Sequence, residues 1–191
     1  MLTMQNYLNS ITVGDSAKTA AIKSLSPQAV NSGNRVVFGS TSESVNVASN
    51  RLGSLRSSGG SGVSSGDESA KKNMWVQQFG SRIKQGNMSG SEGYKSQSLG
   101  MAIGADHEIA EDLILGVSGS YSSSDVKSTS GLKKTDINTY QANIYSGYTF
   151  GKNFLNTIIG FAHNEYSSSR SISVTGSQAA AKYYGRSYIG R

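Results

Sequence analysis

The 191 residues of this chain allow one ordinary domain, or a small domain with an appended segment, and exclude a large multidomain enzyme. With 23 Gly, 36 Ser and a single Pro, the composition favours β structure joined by polar loops over a helical domain. No Cys is present, which excludes disulfides and thiolate metal sites, and the net charge of +6 divides evenly between the two parts of the chain without a basic stripe, so nucleic acid is not an expected partner.

The first predicted element is an amphipathic helix over residues 42–56, which Ser42 or Ser44 could begin by capping its N-terminus. Its apolar residues recur at i, i+3, i+7 and i+10 and so form a single stripe. From this spacing alone, packing on a soluble core is the favoured interpretation of the helix. The stripe consists of Val45, Ala48, Leu52 and Leu55. Residues 57–73 are rich in Gly and Ser and predict a flexible linker.

From residue 74 onward, the apolar residues alternate with small or polar ones, a period of two that predicts β-strands. The longest apolar run, residues 158–162, is far too short for a membrane-spanning helix. The fifth strand has apolar residues of both parities, which leaves its face assignment open. Six strands are predicted, over residues 74–85, 99–109, 113–122, 139–150, 153–166 and 180–189.

The predicted connections alternate between long polar segments and very short turns. The long ones are residues 86–93, 125–136 and 167–178, and the short ones are 110–112 and 151–152. A transmembrane β-barrel has this asymmetry, and its strands need about 9–11 residues to cross a bilayer. The sequence therefore predicts an all-β fold, an antiparallel meander of a transmembrane β-barrel, preceded by a short helical segment.

The two faces of the predicted strands differ in the way that lipid and a watery lumen require. Aliphatic side chains and aromatics near strand ends are predicted to face lipid or the interfacial girdle: Trp75, Phe79, Leu99, Met101, Ile103, Leu113, Leu115, Val117, Tyr121, Tyr140, Ile144, Tyr148 and Phe150. Small or polar side chains are predicted to face the lumen: Gly100, Gly104, Asp106, Glu108, Gln141 and Asn143.

The stretch from Met74 resembles the translocator β-domain of bacterial autotransporters, the type V secretion family. The matching segments are residues 75–80 (WVQQFG), 100–106 (GMAIGAD), 115–122 (LGVSGSYS) and 145–151 (YSGYTFG), followed by 164–170. Residues 49–56 (SNRLGSLR) are similar to the helix that runs through the pore in this family. The Ser- and Asn-rich composition and residues 36–44 look most like the rickettsial surface cell antigens and outer membrane protein B.

The resemblance implies a protein of the bacterial outer membrane that threads and anchors an exported passenger. It assigns residues 1–41 to the end of the passenger, 42–56 to the pore helix, 57–73 to the linker and 74–191 to the first half of the barrel. Arg51, Leu52, Leu55 and Arg56 become the pore-helix candidates, and the two arginines could pair with Asp106 or Glu108. The implied partners are outer-membrane lipid, the outer-membrane assembly machinery and the chain's own passenger, while no host surface molecule can be named.

Family barrels have twelve strands, so six predict a truncated or split translocator that is inactive alone. No secretory leader is visible in residues 1–10, and the chain reads as a mature or C-terminal portion. The alternative function is a soluble adhesive or structural β module that binds through its Ser-rich loops.

An esterase of the autotransporter type is a weaker alternative, suggested only by Gly14-Asp15-Ser16. It would need His107 or His163 as a partner, and no catalytic residue is predicted. Cleavage of the linker at an Asn, as in some relatives, would nominate Asn46, Asn50 or Asn73 without a preference. No cofactor or metal is expected, because Asp106, His107 and Glu108 alternate between faces of one strand.

Overall fold

The computed structural model describes residues 29–57, 72–88, 92–172 and 177–191. One helix, α1 (Ala29–Ser57), precedes six strands within these ranges. The Gly14-Asp15-Ser16 motif and most of the predicted linker lie outside the described residues. The strands are β1 (Lys72–Gln85), β2 (Tyr94–Ala110), β3 (Leu113–Ser128), β4 (Lys133–Phe150), β5 (Asn153–Ile172) and β6 (Ser177–Gly190).

The six described strands form one antiparallel sheet in the order β1-β2-β3-β4-β5-β6, which confirms the predicted meander. Within the described part of the chain, β1 and β6 each pair with one neighbour, so the barrel is not closed. The turns at residues 111–112 and 151–152 are as short as predicted. Gly151 supplies a positive φ of 61° for the second turn, a backbone region that L side chains rarely adopt.

The prediction of a long loop is wrong for two of the three segments, residues 125–136 and 167–178. The sheet continues through most of residues 125–136 and 167–178, because Lys127 still pairs with Lys134 and Ser171 with Gln178. Strands β3 and β4 therefore join through a tight hairpin at residues 129–132, where Gly131 has a φ of 75°. In the described residues of these segments, the polar composition reflects strands that extend beyond the apolar region of the sheet.

Helix α1 packs on one face of the sheet and contacts each of β1 to β5. A helix about 10–12 Å wide can reach five strands spaced about 4.8 Å apart only if the sheet curves around it. We call the helix-covered side the concave face and the opposite side the convex face. No helix in the described ranges combines the length and apolar character needed to span a membrane.

The predicted helix start is wrong, because α1 already includes Ala29 and runs through Ser42 and Ser44 without a break. Residues 36–44 are rich in Val, Ser and Thr, which have modest helix propensity. Packing stabilises this part instead. Val36 and Val37 lie in a buried cluster with Tyr94, Val126, Ile137 and Tyr166 from the sheet.

Burial alternates along β4, and along β2 as far as the register shift between Glu108 and Ala110, so every second side chain lies on the concave face. In β5 the same alternation resolves the open assignment: Ile158 and Tyr166 are buried on the concave face, while Leu155, Ile159 and Phe161 are exposed on the convex face.

The convex face is divided along the strands into an apolar band and a polar extension. In β4 the apolar band runs from Tyr140 to Phe150, and charged or amide side chains occupy the convex positions before it. Ten residue steps cover about 33 Å along the strand, or about 25 Å along the normal at the tilt usual for barrels. This height matches the apolar band of an outer-membrane barrel. The band lies toward the two short turns, and the polar extension lies toward the hairpin at residues 129–132.

Candidate functional site: the helix-covered concave face

The best-formed polar contact between the helix and the sheet joins Arg51 to Asp106. The Arg51 Nε and Nη2 donate to the two carboxylate oxygens of Asp106 over 2.9 and 3.1 Å, and the side chains are only 13% and 1% exposed. A bidentate pair of this kind combines charge with a fixed orientation. It ties the C-terminal half of α1 to the C-terminal half of β2.

Two aromatic side chains complete this cluster. The Tyr145 hydroxyl donates to Asp106 Oδ2 over 3.2 Å, and the indole Nε1 of Trp75 donates to the same hydroxyl over 2.9 Å. The rings of Trp75 and Tyr145 lie 6.5 Å apart. Side chains from α1 and β4 thus bind one carboxylate of β2, and Trp75 of β1 is joined to it through Tyr145. We call these four residues the Asp106 cluster (Arg51, Trp75, Asp106 and Tyr145).

A second set of hydrogen bonds holds the middle of α1 to β3 and β4. The Ser44 hydroxyl lies 2.7 Å from that of Ser120 and accepts from Asn143 Nδ2 over 3.3 Å. Gln141 Nε2 donates to Asn143 Oδ1 over 2.7 Å. Ser44, Gln141 and Asn143 are buried and Ser120 is half-buried, and each takes part in at least one hydrogen bond, as buried polar groups usually do. The exception at the level of single atoms is Gln141 Oε1, which is buried without a partner among the described residues. The helix surface here is neutral and hydroxyl-rich, so it matches the amides of the sheet.

The two ends of α1 reach opposite ends of the sheet. Near the N-terminal end, Arg35 donates to Gln85 at the last residue of β1, over 2.9 Å. Near the C-terminal end, Arg56 donates to Asn156 over 2.8 Å and lies 3.9 Å from the centre of the Phe154 ring. Arg56 therefore does not join Arg51 at Asp106. The helix begins at the polar extension and ends at the short turns.

The predictions for Trp75 and Phe79 as lipid-facing residues are wrong, because both face the concave side. Phe79 is buried against Val47 of the helix. An added Cβ would overlap the Phe79 ring at Gly100 and the Trp75 ring at Gly104. These two glycines therefore make room for aromatic rings of the neighbouring strand and do not chiefly make room for α1.

Tyr145 is the member of the site that sequence reasoning missed. It is almost fully buried, and its ring occupies the space that a side chain at Gly116 would fill. Alternation places Tyr145 on the same face as Gln141 and Asn143, which was the available signal.

The structure places the other residues named from the sequence as follows. Leu52 and Leu55 are buried on the side of α1 that faces the sheet. Leu52 packs with Val45, Ala48, Tyr145 and Ile158. All six lumen candidates lie on the concave face, with Glu108 half-buried and the others buried: Gly100, Gly104, Asp106, Glu108, Gln141 and Asn143. Asn46 and Asn50 lie within α1 and Asn73 within β1, and Asn46 accepts a hydrogen bond from Arg191 over 2.7 Å.

The remaining lipid-face candidates lie on the convex side and form the apolar band: Leu99, Met101, Ile103, Leu113, Leu115, Val117, Tyr121, Tyr140, Ile144, Tyr148 and Phe150. Aromatic pairs lie near both margins of the band. Tyr121 and Tyr140 are 5.2 Å apart toward the polar extension, and Tyr148 and Phe150 are 5.7 Å apart toward the short turns. Exposed aromatic residues at both edges of an apolar band are typical of membrane barrels.

The side chains of the concave face hold α1 through hydrogen bonds, and these contacts fix the position of the helix on the sheet. Among the described residues, no group of three His, Asp or Glu side chains could hold a metal ion. His107 pairs in register with Leu115 of β3, whereas His163 pairs with Tyr140 of β4 and lies 3.9 Å from Glu165.

Comparison with known proteins agrees with this architecture. Residues 74–191 match the family model described as autotransporter beta-domain. The chain belongs to the autotransporter β-domain family. This confirms the resemblance read from the sequence, and the compartment of such a domain is the bacterial outer membrane.

Relatives of this autotransporter β-domain include two rickettsial proteins. Outer membrane protein A of Rickettsia conorii is 32% identical over 172 residues, which cover 83% of this chain and 8% of that protein. Outer membrane protein B of Rickettsia prowazekii is 30% identical over 128 residues, covering 60% of this chain and 8% of that protein. The chain thus spans about 8% of the length of each relative.

Among solved structures, the crystal structure of the β domain of the Bordetella autotransporter BrkA is similar to this chain with a TM-score of 0.45 and 16% identity. The match covers 62% of this chain and 48% of that one.

Proposed function

We propose that this chain anchors an exported polypeptide in the outer membrane and carries it to the cell surface through α1. The strands serve as the membrane part, and α1 serves as the segment that joins the membrane part to everything N-terminal of it. Outer-membrane lipid, the machinery that inserts β-barrels and the upstream polypeptide are the partners this function requires.

The observation that carries the proposal is the direction in which α1 is held. The contacts of Arg51 and Arg56 fix the C-terminal half at the level of the apolar band and the short turns. The contact of Arg35 with Gln85 holds the other end at the polar extension. Because short turns face the periplasm in outer-membrane barrels, this arrangement directs the chain upstream of Ala29 to the outside.

The polar contacts on the concave face also support a helix that stays docked in a wet environment. A helix satisfies its own backbone hydrogen bonds, so it can occupy a polar lumen at membrane depth without unpaired amides. The Asp106 cluster and the Ser44–Asn143 contact give this helix a defined position.

The absence of Cys from the chain makes a direct test of this topology possible. Single cysteines would be introduced at Ser10, upstream of α1, and at Ser130 in the hairpin, with Lys152→Cys in a short turn as the matched opposite-side control. The chain is exported in a Gram-negative host and treated with a maleimide that cannot cross the outer membrane. Labelling of positions 10 and 130 in intact cells, with position 152 labelled only after permeabilisation, is the expected result.

The reverse pattern, with position 152 labelled in intact cells and position 10 protected, would refute the proposed direction. Labelling of all three positions in intact cells would show that the chain does not form a membrane-inserted sheet, and would favour a soluble surface module.

A further inference from the structure

The register of the sheet brings together four lysines that lie far apart in the sequence. Lys84 of β1 is paired with Lys95 of β2, Lys95 with Lys127 of β3, and Lys127 with Lys134 of β4. All four side chains are exposed on the convex face. Paired residues in antiparallel strands have Cβ atoms about 4.5–5.5 Å apart, so the lysines form a continuous row across four strands.

The next convex row toward the apolar band adds two basic residues at its ends and two carboxylates at its centre. Arg82 of β1 and Lys182 of β6 occupy the ends, and Asp125 and Asp136 lie between them. We call the two rows together the basic patch. Six basic side chains against two carboxylates give it a formal charge of +4, which is most of the chain's +6.

The carboxylates neutralise only one side of the lysine row. Asp125 lies 3.4 Å from Lys127 and 3.3 Å from Lys134, and Asp136 lies 3.1 Å from Lys134. In the described part of the chain, no carboxylate forms an ion pair with Lys84 or Lys95. Like charges opposite each other on a sheet destabilise it, so the row lowers stability unless an anion binds there.

The height of the row above the apolar band limits what that anion can be. Lys127 lies six residues beyond Tyr121, the last aromatic residue of the band in β3. Six residues cover about 20 Å along a strand, or about 15 Å along the membrane normal at the usual tilt. Phospholipid headgroups occupy only about 5–8 Å beyond the hydrocarbon on each side, so the row stands above them.

We propose that the basic patch binds the phosphate groups of a phosphorylated outer-leaflet glycolipid of the lipopolysaccharide type. Such a lipid places phosphates on a sugar core above its acyl chains, at a height that a phospholipid does not reach. The acyl chains would lie against the apolar band directly below the patch, which makes the two surfaces one continuous binding site. The placement of the patch in the outer leaflet rests on the proposed topology.

The test measures binding of the purified full chain in detergent to rough lipopolysaccharide with a phosphorylated core. A fourfold variant, Lys84→Gln, Lys95→Gln, Lys127→Gln and Lys134→Gln, is expected to bind about tenfold more weakly or worse, because each cation near an anionic surface contributes to binding. The matched variant with Arg at the same four positions keeps the charge and is expected to bind like the natural chain. Removal of the lipid phosphates with hydrofluoric acid is expected to weaken binding to the same degree.

Lys152→Gln, which removes a lysine at the opposite end of the sheet, is the control for net charge and is expected to have no effect. If Lys152→Gln weakened binding as much as the fourfold Gln variant, overall charge would explain the loss and the proposal would be overturned. Unchanged binding by the fourfold Gln variant, or equal binding of the dephosphorylated lipid, would overturn it as well. Heparin that binds as tightly as the glycolipid would show a general polyanion surface instead.

Two further readouts separate this inference from folding and from topology. Removing the like-charged row is expected to leave the thermal stability unchanged or raised, so a loss of binding cannot be attributed to misfolding. The binding assay in detergent does not depend on which side of the membrane the hairpin faces. The cysteine labelling can therefore refute the proposed topology while the basic patch still binds the phosphorylated lipid. It can equally support the topology while the basic patch does not bind the lipid.

Discussion

Removal of the carboxylate at Asp106 is the most informative perturbation of the docked helix. Asp106→Ala deletes the acceptor of two hydrogen bonds from Arg51 and one from Tyr145, and leaves the Arg51 guanidinium with little access to water. Breaking a buried ion pair by removing one partner costs about 3–5 kcal/mol. Because Arg51 is 13% exposed and can turn partly toward solvent, we expect about 3 kcal/mol of the free energy of unfolding to be lost.

The single Trp of the chain provides the assay, because Trp75 is itself hydrogen-bonded into the cluster through Tyr145. Urea titration of the chain in detergent, followed by Trp75 fluorescence, measures release of the cluster directly. Glu111→Ala removes a carboxylate in an exposed turn and is the matched control, with an expected change within about 0.5 kcal/mol.

A double-mutant cycle with Arg51→Ala separates the pair from its surroundings. Once Arg51 is absent, Asp106→Ala should be less destabilising by about 1–2 kcal/mol or more, because no charge is then left unpaired. The reasoning would be refuted if Asp106→Ala behaved like the control, or if the two single changes were additive.

Three other expectations follow from the same geometry. Gly116→Ala should lower the midpoint of thermal unfolding by the equivalent of about 1–3 kcal/mol, because its Cβ overlaps a buried tyrosine ring, while Gly119→Ala, with no atom within 4 Å, should have little effect. Val117→Arg, in the middle of the apolar band, should cost about 2–4 kcal/mol of stability in lipid, and Ser123→Arg, beyond the band on the same strand and face, only about 0–1. Burial acts to raise the pKa of Glu92, but hydrogen bonds from the hairpin and a nearby lysine outweigh it and hold the pKa below 4.5. The stability that ionised Glu92 gives to the hairpin is therefore present above pH 4.5 and lost as the pH falls through the lowered pKa, so the protection of hairpin amides against exchange, relative to their intrinsic exchange rates, should fall there, and Glu92→Gln should abolish that pH dependence.

Alternation of side chains was sufficient to predict the parts of β2, β3 and β4 that lie in the apolar band, because one face there is small or polar and the other is apolar. It missed the polar ends of these strands, where the convex face is polar as well. The same rule failed for β1, where both faces carry large apolar residues. Trp75 and Phe79 were assigned to lipid since an interfacial aromatic residue and a concave-face one look the same in a sequence. Only the register with Gly100 and Gly104 of the next strand distinguishes the two.

The sequence allowed contacts between distant parts of the chain to be proposed, but it did not decide which of the possible partners form them. Arg51 and Asp106 are 55 residues apart, and Glu108 on the same face was an equal candidate partner. The choice depends on the rotation and depth of α1 against β2, which packing around Leu52 determines. The lysine row was missed for the same reason, because Lys84 and Lys134 become neighbours of one surface only through the register of three strand pairs.

The length of α1 bears on how this anchor would resist mechanical force. Its 29 residues extend about 43 Å, so the helix is longer than the apolar band is high and remains in contact with the sheet along the polar extension. Tension on the upstream polypeptide would pull nearly along the helix axis. The contacts of Arg35, Ser44, Arg51 and Arg56 would then carry the load in shear, all at once, and would not peel away one after another.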